Sequence, residues 1–400
     1  MTSTTNTPII LTQALVLLMA TATGIAVAGN YYAQPLLNTI AAEFGLTQAS
    51  AGTIVTTAQL SYGIGLILLV PLADILERRR LIFIMLMLAT IGLIISGFAV
   101  SLPWLLFGTA LTGASSVVAQ VLVPFAATLA APEQRGRVIG TLMGGLLLGI
   151  LLARVVAGGL STLVDWRFVY WVAALAMFIV GIALTRALPR YRTDSVMSYK
   201  QVLTSVVMLF VEEPILRHRA LLGLISFTLF SMFWTPLSFL LTKPPYEYSD
   251  AVIGLFGLAG AAGVMAASWA GQFADAGKGE LGTRLGLITL LLSWIPLYYG
   301  EVSLISLLVG VILLDLAVQF VHVSNQNIIY ALRSEIRNRL NAGYMTCYFI
   351  GGALGSWLSV NLYQHFGWTG VCIGAAIIAV LGILIGQYGG ASAKAAQQKI

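Results

Sequence analysis

Runs of mostly apolar residues follow one another along the whole chain, broken only by short polar stretches. A hydrocarbon core is crossed by about 20 helical residues rising 1.5 Å each, so each run is a candidate membrane span. Twelve are read, at roughly 9–33, 50–73, 81–100, 103–130, 138–163, 167–188, 218–242, 250–274, 284–300, 303–331, 340–364 and 368–388. The expected class is an all-α membrane protein. Of the 400 residues 58% are hydrophobic and 9% charged, more apolar surface than a soluble domain of this size needs. The first run, from Ile9, has no Lys or Arg before it and exceeds a signal-peptide core, so it is read as a retained helix.

The runs fall into two copies of one unit. Ala73-Asp74 returns as Ala274-Asp275, and Glu133, Arg135 and Arg137 return as Glu335, Arg337 and Arg339. Trp166 returns as Trp368, and Pro35-Leu36 as Pro236-Leu237, always at an offset of 201 or 202 residues. The expected layout is a six-helix bundle over 1–188, a linker over 189–216 and a second bundle with a short tail over 217–400. In the linker, Ser198 is placed to cap a helix whose apolar face is Val202, Leu203, Val206, Val207 and Phe210, lying on the inner membrane surface. Internal duplication of this kind marks many secondary transporters.

All Lys and Arg except Arg154, Arg167 and Lys243 fall in alternate loops or the tail. By the positive-inside rule those loops and both termini are cytoplasmic, which places the chain in a bacterial inner membrane. The net charge of +6 is read as loop arginines facing anionic lipid, with no nucleic-acid partner.

The stretch Val70-Pro71-Leu72-Ala73-Asp74-Ile75-Leu76-Glu77-Arg78-Arg79 resembles the G-x-L-A-D-R-x-G-R-R loop of the major facilitator superfamily, with Asp74, Arg78 and Arg79 kept. Val70, Ile75 and Glu77 depart from it. The second copy keeps Gly271, Ala274, Asp275 and Gly277. The string N-Y-Y-A-Q-P-L-L at Asn30–Leu37 is similar to one in the drug and metabolite efflux branch, the drug:proton antiporters. The resemblance implies the major facilitator fold and latches at the inner face that join the two halves and break on switching. Those latch residues are Asp74, Arg78, Arg79, Asp275, Glu133, Arg137, Glu335 and Arg339. Two features depart from the antiporter pattern. Thr109 stands where a fourth-helix arginine is usual, with Gly113 kept. Arg154-Val155-Val156-Ala157-Gly158-Gly159 stands where the fifth helix usually reads G-P-x-x-G-G.

Ionisable groups inside spans are costly and are functional candidates by default. Three stand well inside: Arg154, Asp315 and His322. Asp315, Gln319, His322 and Gln326 share one helix face, which should meet water or protein rather than lipid. Arg154 and Asp315 lie about nine and about twelve residues from the outer ends of their spans, so their depths agree within about 5 Å. They are placed to pair across the halves as a proton-coupling site, with His322 either a relay or a hydrogen-bonding partner of a neighbouring helix. Asn30, Tyr31, Tyr32 and Gln34 end the first span, as a cavity wall or as an interfacial belt. Gln59, Tyr62, Gln120, Trp234, Tyr344 and Tyr348 are further wall candidates, each as readily packing as contact.

Glycines are dense at Gly144, Gly145 and Gly149 and at Gly254, Gly257, Gly260 and Gly263, where small residues let helices approach. They are mid-span and lack G-x-x-x-x-G-K-[ST], so no nucleotide cofactor is expected. No H-E-x-x-H or G-x-S-x-G is present, and Cys347 and Cys372 are read as small buried hydrophobes, so neither enzyme nor metal site is expected. The reading is a monomeric, proton-coupled secondary transporter that exports a small organic molecule by alternating access. The alternatives are uptake of a metabolite by symport and a membrane receptor that does not transport.

Overall fold

The computed structural model describes residues 11–192, 198–261, 269, 272–273, 278–333 and 336–397. Among these, nine helices are long and apolar enough to cross a membrane. Two shorter apolar helices, Gln13–Ala28 and Asp250–Gly260, occupy the places of the first and eighth spans. The stretch Arg339–Gln387 holds two spans, divided at Gly367, whose φ of 66° and ψ of −163° only glycine adopts readily. The described helices are consistent with the twelve expected places, and the described residues contain no strand. Faces turned away from the protein carry exposed Ile91, Phe107, Leu148, Ile179, Ile305 and Ile377, as lipid contact requires.

Two spans are broken at repeat-related prolines. The first runs as a helix over Gln13–Ala28, turns, passes through a short tight helix at Gln34–Leu36, and continues over Leu37–Phe44 to Gly45. It therefore reaches well past the expected end near residue 33. The seventh stops at Trp234 and resumes at Leu237–Leu241. Pro35 and Pro236 lack an N–H and crowd the residue before them, so the helical ladder cannot pass through either. These breaks take Asn30–Gln34 out of regular α-helix and end the helix of the seventh span at Trp234, at matching places in the repeat. The fourth span is also divided, into Leu102–Ser115 and Val118–Leu129, with no proline at the break.

One end of the bundle carries Arg78, Arg135, Arg137, Arg337 and Arg339 and is called the basic end. At the opposite end the halves are closed on each other. The second span meets the eleventh: Gly52 packs on Val360, Thr56 Oγ1 lies 3.2 Å from Ser356 Oγ, and the Ala49 N–H donates to Gln364 Oε1. The fifth span crosses the start of the eighth, Gly158 against the Asp250 backbone and Gly254 against the Arg154 carbonyl. Neither position has room for a Cβ. Asp250 Oδ2 accepts from Thr39 Oγ1 (2.7 Å) and Ser161 Oγ (2.9 Å), tying the eighth span to both the first and the fifth.

The linker forms the expected helix, over Tyr199–Glu212, with a capping box between Ser198 and Gln201. Its buried residues are Val202, Val206 and Leu209, while Val207, a member of the expected apolar face, is exposed with Met208 and Val211. The helix is apolar on more than one side, so periodicity alone could not choose the buried one. Tyr199 Oη donates to the Leu68 carbonyl in the second span (2.7 Å), and Phe210 and Val206 pack on Gly343 in the eleventh.

Candidate functional site

Arg154 is 3% exposed, and a guanidinium buried in a membrane span needs compensation. Its Nε donates to Gln34 Oε1 at 2.7 Å, which the break at Pro35 sets against the fifth span. Its charge lies over the faces of Trp234 (3.9 Å to the ring centroid), Tyr31 (5.0 Å) and Phe230 (5.8 Å). Each desolvated cation–π contact contributes about 1–2 kcal/mol, the indole most. The Arg154 Nη2 and Gln34 Nε2 are buried without a hydrogen-bond partner in the protein.

Asp315 is 5% exposed and accepts from Trp234 Nε1 at 3.1 Å. The sequence places Arg154 and Asp315 at one depth as partners. In the structure no ion pair within 4 Å joins them, and one indole lies between: its face under the guanidinium, its N–H on the carboxylate. The two charges belong to different halves and meet through Trp234, which belongs to the second.

The polar stripe below Asp315 turns toward the eleventh span. His322 Nδ1 lies 3.1 Å from Tyr344 Oη and its ring 4.6 Å from that of Tyr348, while Gln326 donates to Asn341 Oδ1 at 3.2 Å. Gln319 is half-buried. Tyr348 stacks on Phe227 at 4.0 Å, and Tyr62 stacks on Phe349 at 4.0 Å across the halves while accepting from Gln120. Asn30 and Gln59 are buried, with side-chain N and O atoms that have no partner in the protein. Tyr32 is buried too. From Gln120 a cleft leads to the basic end, lined by Leu66, Asp74, Arg78, Asn341 and Arg339.

Among the latch candidates, Arg78 is buried over Phe125 and Tyr191 and its Nη1 donates to Thr128, and Arg79 donates to the Leu188 carbonyl. Asp74 lines the cleft, and Glu133 and Arg137 are exposed. Asp275 and Glu335 lie outside the described residues, as does Gly263.

The sequence did not single out Asp250 as an interface group. It also missed the buried Arg219, which pairs with Glu280 and donates to Thr283 (3.1 Å) and Asn325 (3.3 Å). Glu280 stands 202 residues after Arg78, so the repeat itself carried a signal: the same position holds opposite charges in the two copies.

A family model described as Major Facilitator Superfamily matches residues 19–313. The chain belongs to this superfamily. Within it, the chain is 54% identical over 375 residues to the "Uncharacterized transporter YgaY" of Escherichia coli O157:H7, covering 94% of this chain and 95% of that one. It is 31% identical to the "Probable transporter SCO4007" of Streptomyces coelicolor, covering 91% and 85%. Among solved structures, a bacterial homologue of the human lysosomal transporter Spinster, inward-facing and occupied, superposes with a TM-score of 0.77 at 13% identity over 94% of this chain and 96% of that one. Membership in the Major Facilitator Superfamily makes the chain a membrane transport protein rather than an enzyme, and the twelve-place helical layout is that superfamily's fold.

Proposed function

We propose that the protein is a proton-coupled carrier of a small organic molecule that works by rocking its two halves, 1–188 and 217–400 about the 189–216 linker, around the Arg154–Trp234–Asp315 site. The observation that carries this is the position of one fixed cation and one carboxyl on two sides of a single indole, where the halves meet. A movement of either half changes the distance between the charges, and so the affinity of Asp315 for a proton. The partners are the substrate, protons and the bilayer, and the working unit is a monomer.

The charge distribution supports a cytoplasmic basic end and cytoplasmic termini in a bacterial inner membrane. On that orientation the structure faces inward: its cleft opens to the cytoplasm, and the Asp250 contacts close the periplasmic side. Asp74, Arg78, Arg79, Glu133, Arg137 and Arg339, with Asp275 and Glu335, are the latches of the outward-facing state.

Direction follows the resemblance to the drug and metabolite efflux branch, export in exchange for protons. One observation favours the second reading, uptake by symport. Among the described residues Arg154 has no carboxylate within 4 Å, so protonation of Asp315 leaves a net cation that an anionic substrate neutralises. The test is proton movement on substrate addition to proteoliposomes, wild type against Asp315→Asn. The reading requires coupled movement in the wild type and its loss in the variant, with downhill exchange retained. Continued proton movement in Asp315→Asn places coupling elsewhere.

A further inference from the structure

The reading above leaves the substrate's chemistry open, and the inference here rests on that reading. We propose that the central site is built for an organic monocarboxylate with an apolar, planar body, its carboxylate held by Arg154 and Gln34.

The donors come first. Arg154 Nη2 and Gln34 Nε2 are both buried and both lack a protein partner. Their side chains are joined by the 2.7 Å hydrogen bond from Arg154 Nε to Gln34 Oε1, so the two free donors belong to one hydrogen-bonded pair. A buried donor left unpaired is costly, and a buried guanidinium most of all. Both are N–H groups, so what completes them is an acceptor. A carboxylate has two oxygens in one plane and meets adjacent planar N–H groups two at a time.

The charges come next. The guanidinium is compensated by the faces of Trp234, Tyr31 and Phe230, and not by a carboxylate within 4 Å. Ring faces stabilise a cation without neutralising it, which leaves a positive site for one negative charge. The acid of the site is directed elsewhere: Asp315 accepts from the edge of the indole whose face carries Arg154. A ligand carboxylate on Arg154 is therefore held apart from Asp315 by the ring, with a residual repulsion between the two.

The body of the ligand is set by the remaining wall. Phe230 lies 5.2 Å from Phe227 at 15°, and Phe227 lies 4.0 Å from Tyr348 at 18°. These three rings form a stack that ends at Phe230 beside the guanidinium, so the wall next to the carboxylate is apolar and aromatic, which suits an aromatic ligand. A dicarboxylate would bring a second charge with no second cation in reach among the described residues of this wall.

The test uses the purified full chain in lipid nanodiscs with three probes of one shape: benzoate, benzamide and benzylamine. Binding is read by titration calorimetry and by quenching of tryptophan fluorescence, and benzoate counterflow is measured in proteoliposomes. Benzoate is expected to bind at least about tenfold tighter than benzamide, the measure of one charge-assisted contact, and benzylamine not to bind. Arg154→Lys keeps the charge but loses the planar fork, and should weaken benzoate about tenfold. Asp315→Asn removes the negative charge on the far side of the Trp234 indole and should tighten benzoate by about threefold or more, a gain that a misfolded variant cannot show. Equal binding of benzamide, preference for benzylamine, or no benzoate binding in the millimolar range overturns the proposal. Binding without counterflow upholds the carboxylate site and counts against carriage. Counterflow of benzamide equal to that of benzoate upholds carriage and counts against the carboxylate site.

Discussion

Asp250→Ala should loosen the closed end of the bundle. The carboxylate takes two hydroxyl hydrogen bonds on one oxygen, from Thr39 at 2.7 Å and Ser161 at 2.9 Å. Donors and acceptor belong to different halves, so both bonds exist only while this end is closed. A hydrogen bond to a charged group contributes about 1.5–3 kcal/mol. Two bonds sharing one oxygen take the lower figure each, about 3 kcal/mol together, because all three groups regain water when the end opens. The open-to-closed ratio at this end should then rise about a hundredfold. The glycine crossings at Gly158 and Gly254 are backbone contacts and survive the substitution. The assay needs a probe of the minor state. Ser356 is fully buried against Thr56, so Ser356→Cys, with Cys347 and Cys372 changed to Ser, is labelled by a hydrophilic maleimide only when the end opens. The labelling rate should rise by up to the same hundredfold, and Thr39→Ala with Ser161→Ala should reproduce it. A rate changed by less than about threefold would show that these bonds do not bias the equilibrium.

Trp234→Phe keeps a ring under Arg154 but removes the N–H on Asp315. It should retain substrate binding within about tenfold while lowering protons moved per substrate, read by a pH dye in proteoliposomes; unchanged stoichiometry would refute the bridging role. Asp74→Asn should cut transport while leaving expression and binding largely intact, since it alters switching and not the site; wild-type transport counts against the latch. The Arg167 guanidinium, 2.6 Å from Glu43, holds that carboxyl below its usual range, with burial opposing and the Trp166 N–H assisting. The depressed value means that the contribution to stability is complete above about pH 4.3 and is lost as pH falls through the folded value. Glu43 is 41% exposed, so the effect is small: Glu43→Gln should lower the melting temperature slightly at neutral pH and not in acid, and a pH-independent difference would refute it. Reporters fused after Arg80 and Arg137 should read cytoplasm and those near Asp165 and Lys243 periplasm; one reversal redraws the orientation.

Much of the fold was legible because lipid leaves few options. Span number and repeat follow from run length and from punctuation at a fixed offset. Pro35 and Pro236 were legible as a repeat pair, but the breaks they cause were not foreseen, and the seventh span was read straight through Pro236. Less of the site was legible. The depths of Arg154 and Asp315 follow from counting residues, but not what lies between them. Trp234 reaches both charges only because the seventh helix ends there, and an indole's face and edge are indistinguishable in a sequence. Asp250 was not singled out and Arg219 was counted among the loop arginines, since distance along the chain does not report that a neighbouring helix covers them.

The linker helix sets a limit on travel. Its 14 residues span about 21 Å. Its first residue is pinned to the second span by one hydrogen bond, and its middle and last turns rest on the eleventh span through apolar packing. A strap fastened to both bodies resists their separation at this end once its slack is taken up. The hydrogen bond from Tyr199 is the slighter fastening and yields first, after which the helix rides with the second body. On the proposed rocking of the two bodies, a helix away from the binding site would then set how far they separate at the basic end.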